Sequence, residues 1–180
     1  MEKKKLSDIK YISFNYSGWD FIYYLGCIKA LHQLDKHLYK RVKIYVCSGG
    51  IVAGVLFINK INIDNFLNDL QSIIKELKLN NNILSRIYIN KNIIKILFDK
   101  YKNKIKKIKK IKISVSKFMY YKFENIIIKN LTNINDFYIA LLQTNYIQLI
   151  NEFLPLLNGC VDGGLTLKAS SIFCYLIKIY

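Results

Sequence analysis

KIYVCSGGIVAGVLFIN, residues Lys43–Asn59, decides the fold: an apolar run of strand type breaks at Ser48-Gly49-Gly50 and resumes as an apolar run of helical composition. A strand that delivers a serine straight into a helix has the form of a nucleophile elbow, where a tight turn exposes the hydroxyl and small neighbours prevent side-chain collision. Gly49 and Gly50 supply the small neighbours. The Gly49 amide, at the helix start, would point at any anion formed beside Ser48, and the helix dipole adds to that field. A glycine-rich strand-to-helix turn that cradles phosphate has the same local pattern, so this stretch alone leaves both readings open. A Walker loop is excluded because no Gly-Lys-Ser/Thr follows.

Working outward, IKYISFNY (residues 9–16) reads as an earlier strand. After Gly18 comes a helix, FIYYLGCIKALHQLDKHL (21–38), in which Ile22, Leu25, Ile28, Leu31 and Leu34 recur every three residues as a buried face. Downstream, NIDNFLNDLQSIIKEL (62–77) is an amphipathic helix with Asp64 placed to cap its start and Phe66, Leu67, Leu70, Ile73 and Ile74 in one stripe. Residues 83–110 read as helical and increasingly basic. IKISVSKF (111–118) alternates as a strand, and ENIIIKNL (124–131) is expected to pair near it. NINDFYIALLQTNYI (133–147) is a further helix, followed by a loop around Pro155 and a short strand at GCVDGGLT (159–166). Strands alternating with helices predict an α/β sandwich with a largely parallel central sheet flanked by helices.

The 180 residues, 52% of them hydrophobic, suit one domain with a core at about 10–170. Lysine and arginine number 28 against 12 acidic residues, a net charge of +16 that favours anionic partners. The crowding of Lys, Ile, Asn and Tyr with a single proline is a composition often found in genes of AT-rich genomes, such as those of large DNA viruses or protists. Cys27, Cys47, Cys160 and Cys174 lack CxxC spacing and sit in apolar surroundings, so buried free thiols in a reducing compartment are expected, with no zinc. Asp8, Lys10 and Asn15 interrupt any signal-peptide core, and the charge-free run Ile44–Ile58 falls short of the roughly 20 residues that span a bilayer. A cytoplasmic protein, soluble or peripheral to a membrane, is expected.

A nucleophilic serine needs a base. The two histidines, His32 and His37, both precede Ser48, which rules out the α/β-hydrolase order with its late histidine. Both are expected to be structural or solvated. Asp162 ends a short apolar strand and is freed by Gly163 and Gly164, where a carboxylate could meet the elbow; Asp-Gly-Gly alone is also a common tight turn. Cys47 would point away from the elbow, and neither His nor Lys adjoins it to lower its pKa. Asp20 reads as a helix cap or a solvated group.

Taken together these segments resemble the patatin-like phospholipases, in the branch that includes adipose triglyceride lipase, from about Ile12 to about Thr166. The family's strand, glycine-rich oxyanion loop and helix are matched by ISFNYSGWDFIYYLGCIKAL. Its Gly-x-Ser-x-Gly elbow is matched by Val46-Cys47-Ser48-Gly49-Gly50, and its late Asp-Gly-Gly by Asp162-Gly163-Gly164. The resemblance implies a patatin-like three-layer sandwich and a Ser-Asp dyad that hydrolyses lipid acyl esters, of phospholipase A or acylglycerol lipase type, without histidine, metal or cofactor. Ser48 would be the nucleophile and Asp162 the base, with the amides around Ser17 and Gly18 and that of Gly49 holding the oxyanion. Gly18 is the one glycine in a loop where the family has three or four, with Tyr16 and Phe21 at usual glycine positions, and Val46 replaces the first elbow glycine. Hence the alternative is a catalytically inactive relative that binds membrane lipid.

The basic segment YKNKIKKIKKIK (101–112) interleaves Ile105, Ile108 and Ile111 with lysines. It reads either as a solvated helix end or as a contact for an anionic membrane surface through Lys106, Lys107, Lys109 and Lys110, each such lysine adding on the order of 1 kcal/mol. Nucleic acid is the weaker reading, since no zinc-finger or RRM motif accompanies the charge.

Overall fold

A computed structural model describes residues 8–17, 20–76, 93–95, 97–145 and 158–166. Its centre is a five-stranded mixed sheet, mostly parallel at its heart. Strands β1 (Tyr11–Phe14), β2 (Lys43–Cys47) and β3 (Ile111–Met119) run parallel, and β4 (Lys122–Ile128) closes the order β1-β2-β3-β4 antiparallel to β3. The parallel pairs require crossovers. Helix α1 (Phe21–Leu34) and the single turn α2 (Leu38–Arg41) connect β1 to β2. After β2 come α3 (Gly50–Asn59) and α4 (Ile63–Glu76).

Register puts Ile12 and Phe14, Ile44 and Val46, and Ile111, Ile113 and Val115 on one face of the sheet, and all seven are buried. Helix α3 lies on that face. It is apolar all round because it is buried all round, from Gly50 to Ile58. Contact is close at Gly54, where an added Cβ would stand 2.3 Å from Val46 Cγ1 and 3.0 Å from Ile44 Cγ2.

Three features depart from the pattern read in the sequence. In α1 the buried residues are Phe21, Leu25, Ile28 and Leu31, while Ile22 and Leu34 are exposed. A strict three-residue repeat drifts about 60° per step around a helix of 3.6 residues per turn, so only its middle members stay on the core side and Phe21 takes the place of Ile22. Helix α4 is capped by Asn62, whose Oδ1 accepts the Asn65 N–H at 2.9 Å; Asp64 lies in the first turn and pairs instead with Lys29 at 2.5 Å. Phe66 and Leu70 are buried, Leu67 packs against the core and Ile74 is exposed; the Ile73 side chain lies outside the described set.

The basic segment is not one helix. Helical structure ends at Tyr101 and gives way to two 3-10 turns, Lys102–Lys104 and Ile108–Lys110. Ile105, Ile108 and Ile111 are all buried, and their spacing of three fits tight turns joined by extended backbone rather than an α-helix. Asn59 fixes the bend: its Oδ1 accepts both the Lys106 and Lys107 N–H groups at 2.9 Å, while its Nδ2 donates to the Val55 carbonyl in the last turn of α3. The part of this segment at residues 83–92 and the loop around Pro155 lie outside the described residues.

Helix α5 (Ile134–Thr144) follows β4, with Asn133 accepting the Asn135 N–H at its start. The last strand, β5 (Cys160–Val161), pairs antiparallel with β3 through Ser116↔Val161 and Lys117↔Cys160. Among the described residues no helix is long and apolar enough to cross a membrane.

Candidate active site

The long strand β3 assembles the site. Its first half pairs with β2 as far as Cys47↔Ser114, and its second half pairs with β5 from Ser116↔Val161 onward. Strands β2 and β5 run in opposite directions against the same strand, so their C-terminal ends converge opposite Val115. The next residue of each is Ser48 and Asp162. Ser48 Oγ donates a hydrogen bond to Asp162 Oδ2 at 2.5 Å, joining residues 114 positions apart.

The elbow is built as a strained turn, and Ser48 is buried in it, 7% exposed, where the elbow form predicts an exposed hydroxyl. Ser48 has φ of +49°, a left-handed conformation that costs an L-residue with a Cβ on the order of 1 kcal/mol or more. Gly49 is already in right-handed helical conformation. The strain is held by Thr144 at the end of α5: its Oγ1 accepts the Ser48 N–H at 2.9 Å and donates to the Ser114 carbonyl at 2.6 Å. Thr144 is fully buried, so the elbow, β3 and α5 are locked through one hydroxyl.

The two glycine motifs are explained by backbone approach. A Cβ on Gly50 would lie 2.2 Å from the Phe14 carbonyl oxygen, where β1 ends over the start of α3. A Cβ on Gly163 would lie 2.3 Å from the Ser114 carbonyl oxygen. Gly163 and Gly164 open the 3-10 turn Gly163–Thr166 that follows the aspartate. Val46 is accommodated by Gly54, one helical turn beyond the elbow, because its side chain points to the face covered by α3.

Asp162 is held by its main chain as well as its carboxylate. Its carbonyl accepts the Ser116 hydroxyl at 2.8 Å and the Leu165 N–H at 3.1 Å, and Ser116 is fully buried. Ser114 Oγ in turn accepts from Asn125 Nδ2 at 2.7 Å, extending the polar network to β4. Cys47 is buried on the opposite side of the strand from Val46; burial first, then the Asp162 carboxylate, push its thiol pKa up to about 12, so it stays protonated.

The remaining positions fall in three places. Ser17, on the loop leaving β1, has a buried hydroxyl with no hydrogen-bond partner among the described residues, and its carbonyl accepts the Asp20 N–H at 2.8 Å. Gly18 lies outside the described residues. Gly49 is the N-cap residue of α3, where the helix offers its N–H no internal acceptor. Beside this loop an open cavity of about 710 Å³ is lined by Tyr16, Ser17, Asp20, Ile22, Tyr23 and Tyr24. Asp20 is at the N-cap position of α1 without making a side-chain cap bond.

His32 is stacked on Phe57 at 5.0 Å between ring centroids, near the far end of α3, and burial lowers its pKa. Lys106, Lys107, Lys109 and Lys110 precede β3, at the end of the sheet away from Ser48. There Lys107 Nζ sits 3.9 Å from the Tyr39 ring centre and Lys60 Nζ 5.3 Å from it, while Lys110 Nζ donates to the Lys40 carbonyl. Among the described residues no cluster of three or more His, Cys, Asp or Glu side chains could hold a metal ion.

Thr144, Ser114 and Ser116 are the site residues that sequence reading missed. Their types are unremarkable, and only the chain-distant pairing of α5, β3 and β5 gives them a role. Set against models of known protein families, curated proteins and solved structures, the chain matches none.

Proposed function

We propose that the protein is a lipid acyl hydrolase of patatin-like type, with Ser48 as nucleophile and Asp162 as base. The observation that carries this reading is the 2.5 Å hydrogen bond from Ser48 Oγ to Asp162 Oδ2, made from a positive-φ elbow at the C-terminal end of a parallel strand. Ligand sites of open α/β sheets gather at such strand ends.

In the reaction, Asp162 takes the Ser48 proton as Oγ attacks the ester carbonyl carbon. The oxyanion is met by the Gly49 N–H, backed by the N-terminus of α3, and by the amides of the Ser17–Gly18 loop. Collapse breaks the carbon–oxygen bond to the alcohol, which leaves with the proton held by Asp162. Asp162 then takes a proton from water, the resulting hydroxide attacks the acyl-serine, and Ser48 Oγ leaves protonated. A patatin-like three-layer arrangement, a single domain and a lipid ester substrate belong to this same proposal.

A fluorophosphonate probe tests it. Labelling of wild type that is abolished in Ser48→Ala and reduced at least about 100-fold in Asp162→Asn is expected. Unlabelled wild type, or labelling that persists in Ser48→Ala, would refute it. The second reading, an inactive membrane-lipid-binding module, draws on the +16 charge and the single glycine left in the Ser17–Gly18 loop. It requires vesicle binding that survives Ser48→Ala without any turnover in wild type.

A further inference from the structure

The hairpin between β3 and β4 ends in a two-residue turn, Tyr120-Tyr121, with φ of +48° and +63°. Two successive left-handed residues define the type I′ turn, whose favoured occupants are Asn-Gly because other residues carry steric strain there. Here both positions hold tyrosine, and both rings stand in solvent, Tyr120 at 84% and Tyr121 at 97% exposure. Neither ring is used to build the fold. Beneath them Phe118 is exposed at 43% and packs edge-to-face on Phe123.

The position of this tip is fixed by the same strand that assembles the dyad. Strand β3 passes Ser48 and Asp162 at Val115 and continues; Phe118 N–H bonds the Gly159 carbonyl at 2.9 Å, ending the pairing on that edge. Met119–Lys122 project beyond it, roughly 15 Å past the dyad at about 3.3 Å per residue. The exposed Tyr16, Ile22 and Tyr23 follow the C-terminal end of β1, and the exposed Leu165 follows Asp162. These are the same end of the sheet. The lysine-rich turns are at the other.

We propose that the Tyr120-Tyr121 tip seats the protein in the headgroup region of a lipid bilayer and so presents the Ser48–Asp162 end to it. Tyrosine suits this place because its ring partitions into the interface while its hydroxyl stays wet. Lys117 and Lys122 flank the tip, and Lys122 is already paired with Glu124 at 2.9 Å, so little net charge accompanies the rings. Seating therefore depends on the rings and takes place on zwitterionic lipid. The inference deepens the hydrolase reading by naming where its substrate is met, but seating itself needs no turnover.

The test replaces the pair by the residues the turn prefers. Tyr120→Asn with Tyr121→Gly should fold at least as well as wild type, and its binding to phosphatidylcholine vesicles at about 0.5 M NaCl, where charge is screened, should fall roughly tenfold or more. Replacing Lys106, Lys107, Lys109 and Lys110 by glutamine should leave that binding unchanged. Separately, a Tyr121→Trp variant should gain blue-shifted emission on the same vesicles. Unaltered binding by the double variant, wild-type binding only to anionic vesicles at low salt, or unshifted emission from the Tyr121→Trp variant would each overturn the proposal. A water-soluble short-chain ester separates the two readings. Equal cleavage by wild type and the double variant leaves the hydrolase intact whatever the vesicles show, and no cleavage by wild type removes the hydrolase while the vesicle results still judge the tip.

Discussion

Thr144 holds the reactive turn by a single side chain, and the consequence is measurable. Replacing it by valine keeps the shape but leaves the buried Ser48 N–H and Ser114 carbonyl unpaired, which costs about 2 kcal/mol. It also frees Ser48 to leave φ of +49°, so probe labelling should slow about tenfold or more, whereas Thr144→Ser should retain both stability and rate. Urea unfolding and labelling kinetics on the two variants check this. Cys47 supplies a second handle. Its thiol titrates near 9 in the unfolded chain and is pushed up to about 12 in the fold, chiefly by burial. Between these values the native state holds a proton that the unfolded state has lost, so stability falls as pH rises, by up to about 1.4 kcal/mol per pH unit. Cys47→Ser should remove that share of the alkaline slope in unfolding midpoints compared at about pH 9 and about pH 11. Ser48 and Asp162 are visible in the sequence because each carries a local signature, a strand–serine–glycine junction and an Asp-Gly-Gly. Thr144 is not, because its importance lies wholly in partners 96 and 30 residues away.

Among the elements, the hairpin tip stores strain that the fold does not need. Two tyrosines in left-handed conformation cost roughly 1 kcal/mol or more together relative to Asn-Gly. The Tyr120→Asn, Tyr121→Gly variant is therefore expected to melt several degrees higher, the mark of a residue pair kept for something other than stability. At the opposite end of the sheet, Asn59 closes α3 and takes two main-chain N–H groups from the basic segment. Asn59→Ala should destabilise the protein by about 1–2 kcal/mol in urea titrations, since all three bonds go at once. That bond set also explains where sequence reading of the elements stops. Strands whose sequence alternates apolar and polar residues, such as β3, and the wholly apolar α3 follow from periodicity. The basic segment does not, because its isoleucine spacing of three fits a helix face and a chain of tight turns equally well over a short span, and the choice is made by a side chain more than forty residues upstream. The same ambiguity puts Ile22 and Leu34 on the expected buried face of α1, where only the middle of the repeat belongs.

At the scale of the whole molecule, the two ends of the parallel strands differ in character. The C-terminal ends carry the dyad, the cavity beside Tyr16 and exposed aromatic rings; the N-terminal end carries Lys40, Lys60, Lys107 and Lys110 around Tyr39. Burial, followed by repulsion from Lys110, Lys40 and Lys60, lowers the pKa of Lys107. Among the described residues no carboxylate forms an ion pair with these four lysines. The C-terminus of α3 offsets only about half an elementary charge of that cluster, so it remains strongly positive. With +16 on the whole chain, the folded state is strained by self-repulsion that dissolved salt relieves. Raising ionic strength from about 10 mM to about 150 mM shortens the screening length from roughly 30 Å to roughly 8 Å, so the melting temperature should climb by several degrees. Lys107→Gln should raise stability at low salt and flatten the climb, because it removes the most crowded of the charges. A melting temperature indifferent to salt in both proteins would mean that the lysines are already neutralised within the fold, and the electrostatic division between the two ends would have to be abandoned.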